Sequence, residues 1–338
     1  MKPAVSIVIP VYNAAATLGS CLGSVMEQDF RDFEVVLIDD GSTDDSAAII
    51  RESQKSDSRI KLYRTSHRGI VPALNYGIRM AEAPLIARMD GDDTLPENRI
   101  SAQKGHLDQH PDTGLVSGHV AFSGDRQRNR GYALYVDWIN TLNTHELISL
   151  YRFVESPLAH PSVMFRKELV HAYGGYLDGP FPEDYELWLR WLERGVRMEK
   201  VDATVLYWND HPQRLSRVHH RYSFLNFYKI KTPYLADWLK ANNPFHPNVT
   251  VWGSGRTTRK RAAMLETSGV HIEAYIDIDP KKIGKYIAGK PVLSPDDIKT
   301  NDRRFVVSYV GSRNARLLIA SELEAKGFIN GRDFIFAA

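Results

Sequence analysis

Residues 5–10 and 34–38 are short, β-branched apolar runs, each breaking off in polar residues. Strands of that kind are buried on both faces, which happens in parallel sheets covered by helices. Helical periodicity follows at 15–27 and again through 49 and 50, with Ser42 or Thr43 as the expected cap. The alternation continues with strands at 60–63 and 84–89, a helix at 72–81, and a further helix opened by Pro96, where a missing N–H does no harm. This order predicts an α/β fold with a mostly parallel central sheet. Residues 125–130 read as a polar loop, 160–207 as strand, Gly-rich turn, helix and strand, and 222–239 as an aromatic helix.

The chain has 338 residues, enough for two domains. Lys and Arg number 43 against 41 Asp and Glu, so no concentrated basic surface points to a nucleic-acid partner. The single cysteine, Cys21, lies in an apolar helical stretch and reads as a packed core thiol. One cysteine allows no intramolecular disulfide and no thiolate metal site, which fits a reducing cytoplasm. No run reaches the roughly 18 apolar residues of a membrane span, and the N-terminus lacks a signal-peptide pattern, so any membrane contact is expected to be peripheral.

Two strands stop at acidic clusters, and in open α/β sheets ligands bind beyond the carboxyl ends of the strands. In Asp90-Gly91-Asp92-Asp93 the carboxylates repel one another unless a cation sits among them, and Gly91 is expected to permit tight backbone geometry. Hard oxygen donors suit Mg2+ or Mn2+, which would also take diphosphate oxygens; an acidic turn before a helix is the other reading. Asp39-Asp40-Gly41-Ser42 offers carboxylates to the base or ribose of a nucleotide, or is a turn and cap. Glu183 and Asp184 open a helix whose apolar face carries Leu187, Trp188 and Trp191. There they stabilise the helix dipole, and one of them is placed to take a proton from an acceptor hydroxyl.

In order and spacing, these clusters resemble glycosyltransferase family 2. The resemblance rests on residues 5–13 (Val-Ser-Ile-Val-Ile-Pro-Val-Tyr-Asn), 38–44, 89–93, 160–166, Gly174-Gly175-Tyr176 and 183–188, and covers about residues 4–225. It implies an inverting enzyme of the GT-A nucleotide-diphospho-sugar transferase fold, using a nucleotide sugar, UDP-linked by family habit, and Mn2+ or Mg2+. Carried over by position, Pro10, Tyr12, Asn13, Asp39 and Asp40 line the nucleotide pocket. Asp90 and Gly91 face the ribose and metal region, Asp92 is the main metal ligand with Asp90, and Asp184 is the base with Glu183 its substitute. Residues 207–217 resemble a segment that closes over the diphosphate, with His211 a further metal or phosphate contact and Arg214 or Arg217 pairing with phosphate. The acceptor implied is a glycan or lipid-linked sugar in bacterial cell-surface polysaccharide synthesis, at the inner face of the membrane. Where many members carry Asn-x-Gly, this chain has His67-Arg68-Gly69, and Arg68 reads as solvated.

Residues 242–247, with two prolines, are the best linker. The expected domains are 1–228 (catalytic), 229–247 (helical segment and linker) and 248–338 (Rossmann-like). In the last, the turn with Gly253 and Gly255 follows a strand, and Asp277 ends the next, the layout of a mononucleotide-binding unit. Thr258 stands where the third glycine of the fingerprint belongs. A structural role, holding a homo-oligomer together, is the other reading of this domain. It leaves no room for a separate catalytic half, so a dehydrogenase is not expected. A nucleotidyltransferase is disfavoured because Tyr12-Asn13-Ala14-Ala15-Ala16 has neither glycine nor lysine to hold a triphosphate. A non-catalytic sugar-nucleotide-binding regulator, acting through the C-terminal domain, is the alternative function.

Overall fold

The computed structural model describes residues 2–300 and 302–338. The chain divides into two compact units. One takes residues up to 148 and 157–222, and the other takes 149–156 and 223–338.

In the first unit the chain runs β1 (Val5–Val11), α1 (Ala15–Met26), β2 (Phe33–Asp39), α2 (Ser46–Ser56), β3 (Ile60–Arg64), α3 (Ile70–Met80), β4 (Leu85–Arg88) and α4 (Arg99–Gln109). It continues through β5 (Thr113–Ser123), α5 (Arg130–Ile139), α6 (His145–Tyr151, whose residues from 149 onward belong to the second unit), β6 (Met164–Arg166), α7 (Glu168–Tyr173), α8 (Glu183–Glu193), β7 (Arg197–Asn209) and α9 (Leu215–Val218). The described strands form one sheet in the order β3-β2-β1-β4-β6-β5-β7, parallel except where β6 runs against both β4 and β5. Every residue of β2, and all of β1 but Pro10, is buried. Sinking each such Val or Ile contributes about 1.5–3 kcal/mol, which explains why these runs become the central strands. Cys21 is packed in the same core, its thiol donating to the Asp90 carbonyl at 3.4 Å.

Register brings the acidic clusters together. β1 pairs with β2 so that Val11 lies opposite Asp39, and with β4 so that Val8 lies opposite Arg88. The residues that follow, Tyr12, Asp40 and Asp90, therefore emerge at one edge of the sheet.

Three local expectations give way. The helix announced by Pro96 starts at Arg99. α2 is not capped by Ser42 or Thr43 but begins at Ser46, because the Ser42 hydroxyl instead accepts from the Asn13 N–H at 3.0 Å. A Cβ at Gly91 would meet Ala14 and Leu18 at 3.7 Å and Val11 at 4.0 Å, all ordinary contacts, and Gly91 lacks a left-handed backbone, so the expected steric need for glycine is not there. Gly41 does have that need: its φ is +75° and a Cβ would lie 2.7 Å from the His67 nitrogen.

In the second unit, α10 (Phe224–Asn242) precedes β8 (Asn248–Trp252), α11 (Arg256–Glu266), β9 (His271–Ile276), β10 (Tyr286–Ile287), β11 (Lys290–Leu293), β12 (Val306–Ser308), α12 (Arg313–Ala325) and β13 (Phe334–Phe336). The strand order is β10-β11-β9-β8-β12-β13, parallel apart from the β10–β11 hairpin. Lys231 of α10 is buried and donates to the carbonyls of Phe153, Val154 and Ala337 at 2.8, 3.2 and 2.8 Å, so the 149–156 excursion is held within this unit.

Candidate active site

Beyond β1, Tyr12 is 47% exposed and stacks on His67 with ring centroids 3.9 Å apart. Asn13 adopts a positive φ of 49° while its side chain accepts from the Thr43 N–H at 2.9 Å, tying the first loop to the second. Pro10 is half-buried at the end of β1. Asp39 is buried, one carboxylate oxygen accepting from the Ser42 N–H at 2.8 Å and the other from Arg64 Nε at 2.7 Å. Asp40 is held by His67 Nδ1 at 2.8 Å, by the N–H groups of Arg68 and Gly69 at 3.0 and 2.8 Å, and by the Thr65 hydroxyl at 3.2 Å. Its carboxylate shapes the 65–69 loop that carries the Tyr12 stacking partner.

The second acidic cluster draws together three carboxylates. One oxygen each from Asp90, Asp92 and Asp93 lies within 4.8 Å of the others, with Asp93 buried and the other two half-buried. Basic side chains from elsewhere in the chain face them. Arg214 Nη1 lies 3.0 Å from Asp93 and 3.9 Å from Asp92, its Nη2 lies 3.7 Å from Asp90, and its guanidinium covers the Trp208 ring. His211 Nε2 sits 2.8 Å from Asp92, and Arg88 Nη1 sits 2.6 Å from Asp90. Burial pushes the Asp93 carboxyl up to about 8, against the pull of Arg214. Its Oδ2 is buried without a hydrogen-bond partner. Clustered oxygens of which one is an orphan suit a hard divalent cation. Arg217 is held away from this cluster by both carboxylate oxygens of Asp210, at 2.6 and 2.7 Å. Arg68 contributes its backbone N–H to Asp40.

At the head of α8, Glu183 and Asp184 part company. Glu183 is buried, with the Tyr222 hydroxyl and Arg221 on its carboxylate. Asp184 keeps part of its surface open, and one oxygen accepts from the Tyr185 N–H at 2.8 Å. Burial first, and the neighbouring Glu183 charge second, push its carboxyl up to about 7. A half-open carboxyl poised near neutrality is suited to general-base work. Beside it, His160 Nε2 and the Tyr176 hydroxyl are 2.7 Å apart, and burial keeps that imidazole neutral.

The profile for glycosyl transferase family 2 matches residues 6–174, half of the chain. The chain belongs to glycosyltransferase family 2. The enzyme is similar to the O-antigen biosynthesis glycosyltransferase WbnJ of Escherichia coli, with 24% identity over 239 residues, covering 70% of this chain and 89% of WbnJ. It is 32% identical to glycosyltransferase GlyG of Streptococcus pneumoniae serotype 4 over 120 residues, 35% of this chain and 40% of GlyG, so it spans less than half of that relative. The crystal structure of S. aureus TarS 1–349 superposes with a TM-score of 0.53 at 20% identity, over 71% of this chain and 66% of that one. At that identity the likeness is one of fold, and the fold is GT-A. A second profile, C2185-like N-terminal, matches residues 246–325 of this glycosyltransferase.

In the second unit, Asp277 does not stand free beside the Gly253–Gly255 turn. Its carboxylate accepts from the Ser254 N–H at 3.1 Å, the Ser254 hydroxyl, the Asp279 N–H at 3.0 Å and Lys282 Nζ at 3.1 Å. Burial raises this carboxyl and the hydrogen bonds outweigh it, holding it down to about 2. Thr258, in place of a glycine, packs 2.9 Å from where a Gly253 Cβ would be.

Sequence reasoning passed over Arg88 and the anchoring of Asp93 by Arg214. Arg88 had a signal, a lone cation within the apolar run Leu85-Ile86-Ala87 and Met89. The Arg214–Asp93 pair spans 121 positions, and no local pattern announces it.

Proposed function

We propose that this glycosyltransferase moves a sugar from a UDP-type nucleotide sugar to a hydroxyl of a glycan or lipid-linked acceptor, inverting the anomeric carbon. The observation that carries this reading is the half-open Asp184 beside a Glu183 already held by its neighbours. Asp184 takes the proton as the acceptor oxygen bonds to the anomeric carbon, and the bond from that carbon to phosphate oxygen breaks with its electron pair leaving on the nucleoside diphosphate. Tyr12, Asn13, Asp39 and the 65–69 loop held by Asp40 form the nucleotide end. Asp90, Asp92 and Asp93, with His211 beside Asp92, would hold Mg2+ or Mn2+, the donor set that the orphaned Asp93 oxygen favours. When bound, the ion supplies positive charge to the departing diphosphate. Support for the donor class comes from TarS, which has been crystallised with UDP-GlcNAc, and for cell-surface polysaccharide synthesis from WbnJ, named for O-antigen biosynthesis.

Among the described residues no helix is long and apolar enough to cross a membrane. A lipid-linked acceptor would then be reached from the cytoplasmic side by peripheral contact, which vesicle flotation with and without acceptor lipid tests. For the second unit we propose the Gly253–Gly255 turn as a nucleotide-phosphate cradle, supported by the parallel strand order and the turn's place before α11.

Thermal-shift measurements with UDP-, GDP-, dTDP- and CMP-sugars, with and without Mn2+, test the donor site. A metal-dependent shift for one base, lost in Asp92→Ala, is the expected result. A shift indifferent to both metal and Asp92 assigns the ligand to the second unit. Donor hydrolysis abolished by Asp184→Asn separates the enzyme from a binding protein.

A further inference from the structure

Arg214 is drawn into the acidic cluster rather than held at its rim. The residue is 7% exposed. Nη1 donates to Asp93 Oδ1 at 3.0 Å and to the Asn209 carbonyl at 2.7 Å. The same nitrogen lies 3.9 Å from Asp92 Oδ2, and Nη2 lies 3.7 Å from Asp90 Oδ2, so one guanidinium reaches all three carboxylates. Its Cζ sits 4.7 Å from the centre of the Trp208 ring, which backs it. The chain around it is tied to the same loop. The Asn209 N–H donates to the same Asp93 oxygen at 2.9 Å, and the Asn209 side-chain amide donates to the Asp92 carbonyl at 3.0 Å. A guanidinium keeps its proton in a protein, so the cluster carries this positive charge at every working pH.

Charge counting then limits what the cluster offers a metal ion. The carboxylates of Asp90, Asp92 and Asp93 supply at most three negative charges. Arg88, with Nη1 2.6 Å from Asp90, and Arg214, with Nη1 3.0 Å from Asp93, together offset two of them. Little net attraction is left for a divalent cation. A nucleoside diphosphate brings further negative charge and further oxygens to the ion. We propose that Arg214 is a resident counter-ion of this cluster that makes metal binding depend on the donor: it holds the carboxylates together and keeps the ion's affinity low until the diphosphate arrives. The proposal rests on the reading of the cluster as the ion's site. It gives Arg214 a different task from pairing with phosphate, because the guanidinium is engaged by carboxylates and a carbonyl of its own chain. By reciprocity, the factor that UDP adds to the ion's affinity is the factor that the ion adds to the affinity for UDP.

The test uses the full chain, with free Mn2+ followed by electron paramagnetic resonance and UDP binding by calorimetry, in the wild type, Arg214→Met, Arg214→Lys and Asp92→Ala. In the wild type, UDP is expected to tighten Mn2+ binding by about 10- to 100-fold. Arg214→Met removes the charge. It is expected to bind Mn2+ about tenfold more tightly without UDP, and the gain from UDP shrinks by about the same factor. Arg214→Lys keeps the charge and is expected to keep most of the wild-type gain. Unchanged or weaker Mn2+ binding by folded Arg214→Met, with binding lost in Asp92→Ala, overturns the proposal and leaves the cluster as the ion's site. A fall in metal-free UDP binding beside that result makes Arg214 a phosphate ligand instead. Wild-type Mn2+ affinity in Asp92→Ala removes the ion from the cluster and the proposal with it. If Arg214→Met does not fold, Arg214→Gln, which is neutral but still a hydrogen-bond donor, decides by the same measurements.

Discussion

Tyr222 donates its hydroxyl hydrogen to Glu183, with Oη 2.8 Å from one carboxylate oxygen and 2.9 Å from the other. Arg221 reaches the same carboxylate at 3.3 Å. A carboxylate held from two sides and shut off from solvent is poorly placed to meet an acceptor hydroxyl, whereas Asp184 is not so held. Asp184→Asn is expected to lower kcat by about 100- to 10,000-fold with little change in UDP affinity. Tyr222→Phe should instead reduce stability by about 1–2 kcal/mol in urea unfolding, with kcat changed less than about tenfold. A larger kcat loss in Glu183→Gln than in Asp184→Asn would reverse the assignment.

The raised Asp184 carboxyl gives a pH dependence of definite sign. The base works only when ionised, so kcat/KM is expected to climb about tenfold per pH unit up to about 7 and level off above it. Stability at this one group runs the other way. The folded state holds the proton more tightly than the unfolded chain, so its contribution is full below the ordinary aspartate range and is lost as pH rises through about 7. A pH–rate profile from 5 to 9 checks the activity limb, and a limb centred near 4 contradicts it.

Metal binding should depend on His211 as well as on the aspartates. His211 Nε2 lies 2.8 Å from Asp92, where it either orients that carboxylate or joins the ion itself. His211→Ala is expected to weaken Mn2+ affinity by about 10- to 100-fold. Asp92→Ala is expected to weaken it further. Electron paramagnetic resonance of free Mn2+ reports both, and wild-type affinity in the two variants would place the ion elsewhere.

In the second unit, Lys231 serves three buried carbonyls at once. Burial holds its ammonium well below the usual lysine range. Lys231→Met strands those carbonyls and is expected to destabilise the unit by about 2–5 kcal/mol. Hydrogen exchange should quicken in residues 149–156 and near Ala337 before it does in β8. Unchanged protection there would show that the lysine is not what holds the segment.

The central strands were legible because burial on both faces removes alternation: β2 is apolar except for Glu34 and Asp39. β5 was not. Two glycines interrupt its apolar pattern, so the sequence assigns no element there; a Cβ at Gly114 would lie 2.7 Å from Val196 and one at Gly118 would lie 2.4 Å from Val205, so both are there for close packing within a strand. The positions of Asp39, Asp90 and Asp184 could be read because each follows or opens an element with a strong local pattern. What those carboxylates touch could not. Whether Asp40 faces a ligand or its own loop, and which of Glu183 and Asp184 remains open, depends on residues 25 to 39 positions away.

Because of the excursion of residues 149–156, the stretch matched by the C2185-like profile is smaller than the unit that folds. The C2185-like match begins at residue 246, whereas the compact body also takes in α10 and eight residues from far upstream. A recombination event with a single crossover near residue 245 would hand a new host the matched sequence without Lys231 and without Phe153 and Val154, whose carbonyls it serves. The smallest piece of chain that carries this unit with its own internal contacts is therefore discontinuous, taking α10 and the 149–156 segment along with the matched sequence.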